Sequence, residues 1–151
     1  MLSGFSAYGV ERDRIKFVVK NDTMFEHLGA YREVDIARDP FPFNGATTTY
    51  QALWMGVPVI TLAGGSFNSR ITGSILYHLG VDDLIVDSPE GYIACAQELA
   101  ADGMRLEKLR SSLREQIIRS PLCDASAYAL TVESAYREMW QTWCSNVGDN
   151  R

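Results

Sequence analysis

The residues best able to do chemistry in this chain stand together in one run, Asn44-Gly45-Ala46-Thr47-Thr48-Thr49-Tyr50-Gln51. An Asn-Gly pair lets the backbone turn tightly and approach a ligand closely, because glycine carries no Cβ into the contact. A helix beginning near Thr48 would present unpaired backbone N–H groups and the positive end of its dipole, which together suit a phosphate. The hydroxyls of Thr47 and Thr48 can donate to phosphate oxygens, and Gln51, one turn further on, can meet a ribose hydroxyl. The pattern is that of a cradle for a nucleoside diphosphate. It equally fits a capping box, in which Thr48 and Gln51 do no more than satisfy the two ends of one helical turn.

The elements that must hold this run are read from the apolar spacing. Strand-length apolar runs cover residues 15–19, 34–37 and 59–62, with a weaker one at 84–86, and continuous runs of this kind suit strands buried on both faces. Helix-length segments lie between them at 23–31, 48–55 and 68–79, the last stopped by Gly80. This alternation predicts βαβ units around a parallel sheet over residues 1–87. From residue 88 to 146 the chain reads as helical, starting at Ser88-Pro89-Glu90, a cap residue followed by proline. Leu106, Leu109, Leu113 and Ile117 fall on one face of a helix that ends before Pro121. A last helix, 125–143, carries Tyr128, Tyr136, Met139, Trp140 and Trp143. Core packing is the first expectation for that aromatic stripe, and contact with a domain outside this chain is the other.

Composition narrows the partners. A net charge of −5 without a lysine/arginine cluster excludes nucleic acid and anionic membrane surfaces as expected ligands. Cys95, Cys123 and Cys144 are odd in number and fit no metal-ligand spacing, which points to a reducing, cytoplasmic setting and to no metal. There is no signal-peptide pattern at the start, and no segment is apolar for long enough to span a membrane.

The stretch from Val34 to Leu62 resembles the signature of the O-linked N-acetylglucosamine transferases and their bacterial SPINDLY-like relatives. The likeness continues through Ala63-Gly64-Gly65-Ser66, Ser69-Arg70, Leu79 to Val86, Ser120-Pro121-Leu122-Cys123-Asp124 and Glu138-Met139-Trp140, and so covers about Asp13 to Trp143. The resemblance implies a GT-B enzyme of two facing Rossmann-like domains. This chain would be a single partial domain, 1–151: the three-layer α/β parallel-sheet half of the C-terminal domain that binds the nucleotide sugar, with extra C-terminal helices. The donor would be UDP-N-acetylglucosamine or another UDP-sugar, and the acceptor a serine or threonine hydroxyl of a protein, with inversion at the anomeric carbon and no cofactor. By the same resemblance Asn44, Gly45, Ala46, Thr47 and Thr48 wrap the diphosphate, Gln51 holds the ribose, and His27 stacks on uracil. By the resemblance the N-terminal catalytic domain would lie outside these residues, no catalytic residue is assigned within them, and the isolated chain is expected to be inactive.

The sequence also departs from the family. Many relatives have an acid at Gln51, the animal enzymes have a histidine at Ala46, and a lysine found near the uridine in some is absent before His27. Two rivals remain. One is a non-catalytic binding or assembly module of the same fold, with a homo-oligomer covering the open sheet edge and the aromatic helix. The other is a response-regulator receiver, suggested by Asp35 to Pro42 as a phosphoacceptor strand end, Pro58 to Leu62 as the following strand and Asp82 to Val86, although the acidic pair and the lysine that a receiver requires are lacking.

Overall fold

A computed structural model describes residues 2–18 and 23–148. A short helix α1 (Leu2–Ser6) precedes α2 (Met24–Gly29), β1 (Ala37–Arg38) and α3 (Thr47–Trp54). Then come β2 (Val59–Leu62), α4 (Ile71–Leu79), β3 (Ile85–Val86), α5 (Pro89–Ala101), α6 (Gly103–Arg119) and α7 (Ala125–Gly148). The three strands form a parallel sheet in the order β1-β2-β3, with Ala37 beside Val59, Arg38 beside Ile60, Thr61 beside Ile85 and Leu62 beside Val86. Together they make the mixed α/β fold the sequence predicts.

β2 is the centre because its residues can be buried on both faces: Val59, Ile60 and Thr61 are all buried. Helices α3, α4 and α5 pack on it, and α6 lies across α3, α4 and α5. Leu53, Leu76, Leu99 and Leu113 bring one fully buried side chain from each of these helices into a single core. The predicted α6 face holds: Leu113 and Ile117 are buried, and Leu106 and Leu109 pack against the core. Local signals also act as expected. Gly80 ends α4 in the left-handed region at φ 70°. Ser88 accepts a hydrogen bond from the Gly91 amide (3.1 Å) with Pro89 in the first helical turn.

Three expectations fail, each for a physical reason. Residues 15–18 of the first predicted strand are not a strand, and Val19 lies outside the described residues. A strand exists through its ladder, and among the described residues β1 pairs with β2 and takes no partner from this segment. The second strand is shifted from 34–37 to Ala37–Arg38 because the Val34 and Asp35 carbonyls are taken by the Arg110 guanidinium, at 2.7 and 3.3 Å. The aromatic stripe of α7 is not core. Tyr128, Tyr136, Met139, Trp140 and Trp143 are all more than half exposed, and α7 meets the body mainly at the 3₁₀ turn Pro121–Cys123.

Candidate nucleotide site at the start of the third helix

β1 delivers the chain to Asp39, and the loop from Pro40 to Ala46 folds back over the carboxyl end of the strand before α3 begins. In parallel α/β sheets ligands bind at this end. Asp39 is buried and its carboxylate braces the loop: Oδ1 accepts the Gly45 N–H (2.7 Å) and Oδ2 accepts the Thr61 hydroxyl (2.8 Å). The Asp39 carbonyl accepts the Tyr92 hydroxyl from α5 (2.9 Å). Burial, foremost, pushes the Tyr92 phenol above its ordinary range; nearby Arg38 lowers it and Asp39 raises it. Asn44 is buried too. Its N–H donates to the Asn68 carbonyl (3.0 Å) and its amide nitrogen to the Pro40 carbonyl (3.3 Å), while its side-chain oxygen is buried and has no hydrogen-bond partner among the described residues.

Gly45 is held from both sides, since its carbonyl accepts the Thr72 hydroxyl (3.0 Å) and its N–H is taken by Asp39. A hydroxyl has one proton. With Thr72's proton on Gly45, the 3.0 Å contact between the Thr49 and Thr72 hydroxyls must have Thr49 as donor. Close packing makes glycine necessary at 45, because a Cβ there would stand 2.7 Å from the hydroxyl oxygens of both Thr48 and Thr49.

The N-cap residue of α3 makes no side-chain cap hydrogen bond. Ala46 is the N-cap residue, so the helix starts one position earlier than the sequence suggests. The capping box of Thr48 and Gln51 is therefore not formed. Thr48 lies inside the first turn, and Gln51 turns away to α2, where its Oε1 stands 3.1 Å from His27 Nε2 and its amide nitrogen 3.9 Å from the Met24 sulfur. Since Oε1 can only accept, this contact is a hydrogen bond in the form of His27 that carries a proton on Nε2. The real capping box belongs to α2, where Thr23 and Glu26 bond each other's backbone N–H at 3.2 and 3.3 Å. Ala46, Thr47 and Thr48 are exposed, leaving the first N–H groups of α3 facing outward without intrahelical partners.

Two clefts flank this end. One, of about 380 Å³, is lined by Met24, Leu28, Thr47, Tyr50, Gln51 and Trp54, with Ile117, Leu122 and Cys123 behind them. A smaller one of about 120 Å³ runs between Thr48 and the end of β1 and includes Tyr31, Arg38 and Asp39. The structure thus joins His27 directly to Gln51 and places Asn44, Gly45, Ala46, Thr47 and Thr48 along one turn. Sequence reasoning missed Asp39 as a brace, together with Thr61, Thr72, Tyr31 and Tyr92. Asp39 five residues before an Asn-Gly turn was a usable signal, whereas Tyr92, 53 positions away, gave none. Among the described residues no group of three or more His, Cys, Asp or Glu is placed to hold a metal ion, and no helix is long and apolar enough to cross a membrane.

A three-stranded parallel sheet packed between helices, with a helix starting at the carboxyl end of its first strand, defines a Rossmann-like α/β architecture. The particular family is glycosyl transferase family 41, to which this chain belongs: the family's sequence model matches residues 2–132. A barley (Hordeum vulgare) protein named "Probable UDP-N-acetylglucosamine--peptide N-acetylglucosaminyltransferase SPINDLY" is 38% identical over 143 residues, which are 95% of this chain and 15% of that protein. An Arabidopsis thaliana protein with the same description but named SEC is 33% identical over 144 residues, covering 93% of this chain and 14% of its own. Among solved structures, a mutant of the Thermobaculum terrenum O-GlcNAc transferase superposes with a TM-score of 0.88 at 33% identity, over 97% of this chain and 28% of that one. The chain therefore spans about one-seventh of these longer relatives and just over a quarter of the solved chain. Family membership removes the receiver alternative, in keeping with an Asp39 carboxylate that is buried and engaged in bracing the loop.

Proposed function

We propose that this chain is the donor-binding part of a peptide O-glycosyltransferase, seating the nucleotide diphosphate of a UDP-sugar on the start of α3. The observation that carries the reading is the uncapped α3 terminus, whose exposed Ala46, Thr47 and Thr48 follow a Gly45 peptide pinned on both sides. N–H groups and hydroxyls fixed in advance stabilise the charge that develops on a departing diphosphate. In this reading the bond from the anomeric carbon to the diphosphate breaks as a serine or threonine oxygen attacks from the opposite face. The base that takes the hydroxyl proton belongs to another part of a longer polypeptide, and the isolated chain is inactive.

Gln51 and His27 form the nucleoside end. Gln51 keeps an amide N–H and an oxygen lone pair for ribose, and the larger cleft beside it has the apolar lining a base requires. The three free thiols agree with a reducing, cytoplasmic environment. The names of the relatives suggest N-acetylglucosamine as the sugar and proteins as acceptors. A UDP titration followed by backbone-amide NMR, with UMP for comparison, tests the site. Shifts at His27, at Asn44 to Thr48 and at Gln51, weaker with UMP, are the expected outcome. No shift at millimolar UDP would sink the donor-binding reading and leave a non-catalytic assembly module.

A further inference from the structure

We propose that Asp39 and Thr72 are positioning residues that aim the Ala46 N–H and the first turn of α3 at the ligand, an inference resting on the donor-binding reading above. In a trans peptide the C=O and the following N–H point in opposite directions. Thr72 is fully buried, and its hydroxyl holds the Gly45 carbonyl inward at 3.0 Å. The Ala46 N–H of the same peptide plane is thereby turned outward, where Ala46 is exposed. On the preceding plane Asp39 takes the Gly45 N–H at 2.7 Å, a bond to an ionisable group and among the stronger kinds. The two bonds fix successive peptide planes, and the relay from Thr49 to Thr72 to Gly45 ties that setting to the helix itself.

The arrangement divides the donors. A carboxylate beside a diphosphate is repulsive unless its lone pairs are directed elsewhere, and here they face Gly45 and Thr61. The Asn44 and Gly45 N–H groups of the loop are spent internally so that the next ones point outward in a set direction. Neither Asp39 nor Thr72 needs to touch the ligand. Tyr92 adds a third hold, from α5 to the Asp39 carbonyl at 2.9 Å.

The test uses near-isosteric variants of the 151-residue chain, Asp39→Asn, Thr72→Val and Thr72→Ser. The readouts are amide hydrogen exchange at Gly45 and Ala46 without ligand, and affinities for UDP and for uridine. Expected are faster exchange at Gly45 in Asp39→Asn, a roughly tenfold loss of UDP affinity in Asp39→Asn and Thr72→Val, equal to about 1.4 kcal/mol, and uridine binding within twofold of the parent. Thr72→Ser, which keeps the hydroxyl, should restore UDP binding, a rescue that a general loss of packing would not show. If Asp39→Asn fails to fold, the Thr72 pair carries the comparison alone. Unchanged UDP affinity in variants of a chain that does bind UDP overturns the positioning role and leaves the donor-binding reading standing. Absence of UDP shifts in the parent chain overturns both, whatever Gly45 shows.

Discussion

Replacing Gly45 by alanine should damage fold and site together, by an amount the geometry sets. The added Cβ would lie 2.7 Å from the hydroxyl oxygens of Thr48 and Thr49, against 3.4–4 Å for ordinary contact, an overlap of 0.7 Å or more on two sides. Thr48 is exposed and can rotate away. Thr49 is only 3% exposed, and its hydroxyl is committed to Thr72, so it can move only by breaking the relay to the Gly45 carbonyl. Losing one such bond costs about 1 kcal/mol, and overpacking typically costs 1–3 kcal/mol. A total of about 2–4 kcal/mol corresponds to a fall in Tm of roughly 4–16 °C for a chain of this size. Thermal melting followed by circular dichroism, with Gly65→Ala as control, checks it, because a Cβ at Gly65 meets nothing within 4 Å. If Gly45→Ala melts together with Gly65→Ala and keeps the UDP affinity of the parent, the close packing of this loop and its part in the site are both refuted.

Two other glycines separate backbone strain from collision. Gly56 and Gly80 have φ of 77° and 70°, so alanine at either pays about 1–2 kcal/mol for the left-handed conformation. At Gly56 the Cβ would also strike the Arg110 carbonyl oxygen at 2.6 Å, so urea denaturation should rank Gly56→Ala below Gly80→Ala by a further ~1–3 kcal/mol, and equal midpoints would refute it. The stacked, exposed pair Trp140 and Trp143 should give the isolated chain a quenchable tryptophan emission and a mass that rises with concentration; a fixed 16.8 kDa up to millimolar protein would exclude self-association through α7. Cys123 and Cys144 should react with a thiol reagent at mildly alkaline pH before Cys95 does. Cys95 is buried, and burial, foremost, raises its pKa, opposed by Arg105 and reinforced by Asp83 and Glu98; less of it is thiolate at any given pH, so simultaneous reaction of all three would contradict its placement.

What could be read from the sequence was local. The apolar run of β2, the left-handed stop at Gly80, the Ser88-Pro89 start of α5 and the three-and-four spacing of α6 each depend on neighbours within a turn or two, and each stands where predicted. The helix start carrying the candidate site was legible within one residue for the same reason. What escaped was set at long range. Thr48-x-x-Gln51 and Thr23-x-x-Glu26 are equally good capping signals, but α3 starts at Thr47 with Ala46 as its N-cap and Gln51 turns to His27, so the first is not used. The position of β1 depends on Arg110, and the bracing of Asp39 on Thr61 and Tyr92, none of which is marked by spacing. The exposure of α7 could not be read from its composition, since an aromatic stripe looks the same whether or not a partner covers it.

The Arg110 clamp on the Val34 and Asp35 carbonyls, together with the Tyr92 hydroxyl on Asp39, bears on the order in which the molecule can become itself. A ribosome makes the site residues first, yet the groups that fix them emerge 53 to 76 positions later. Closing loops of that length costs chain entropy before any contact repays it. The end of β1 therefore lacks these holds until α5 and α6 have been synthesised and docked, whereas the Asp39 and Thr72 bonds to Gly45 need only the first 72 residues. A nascent chain halted before residue 89 would carry every candidate ligand-binding residue without the Tyr92 and Arg110 holds that set the end of β1.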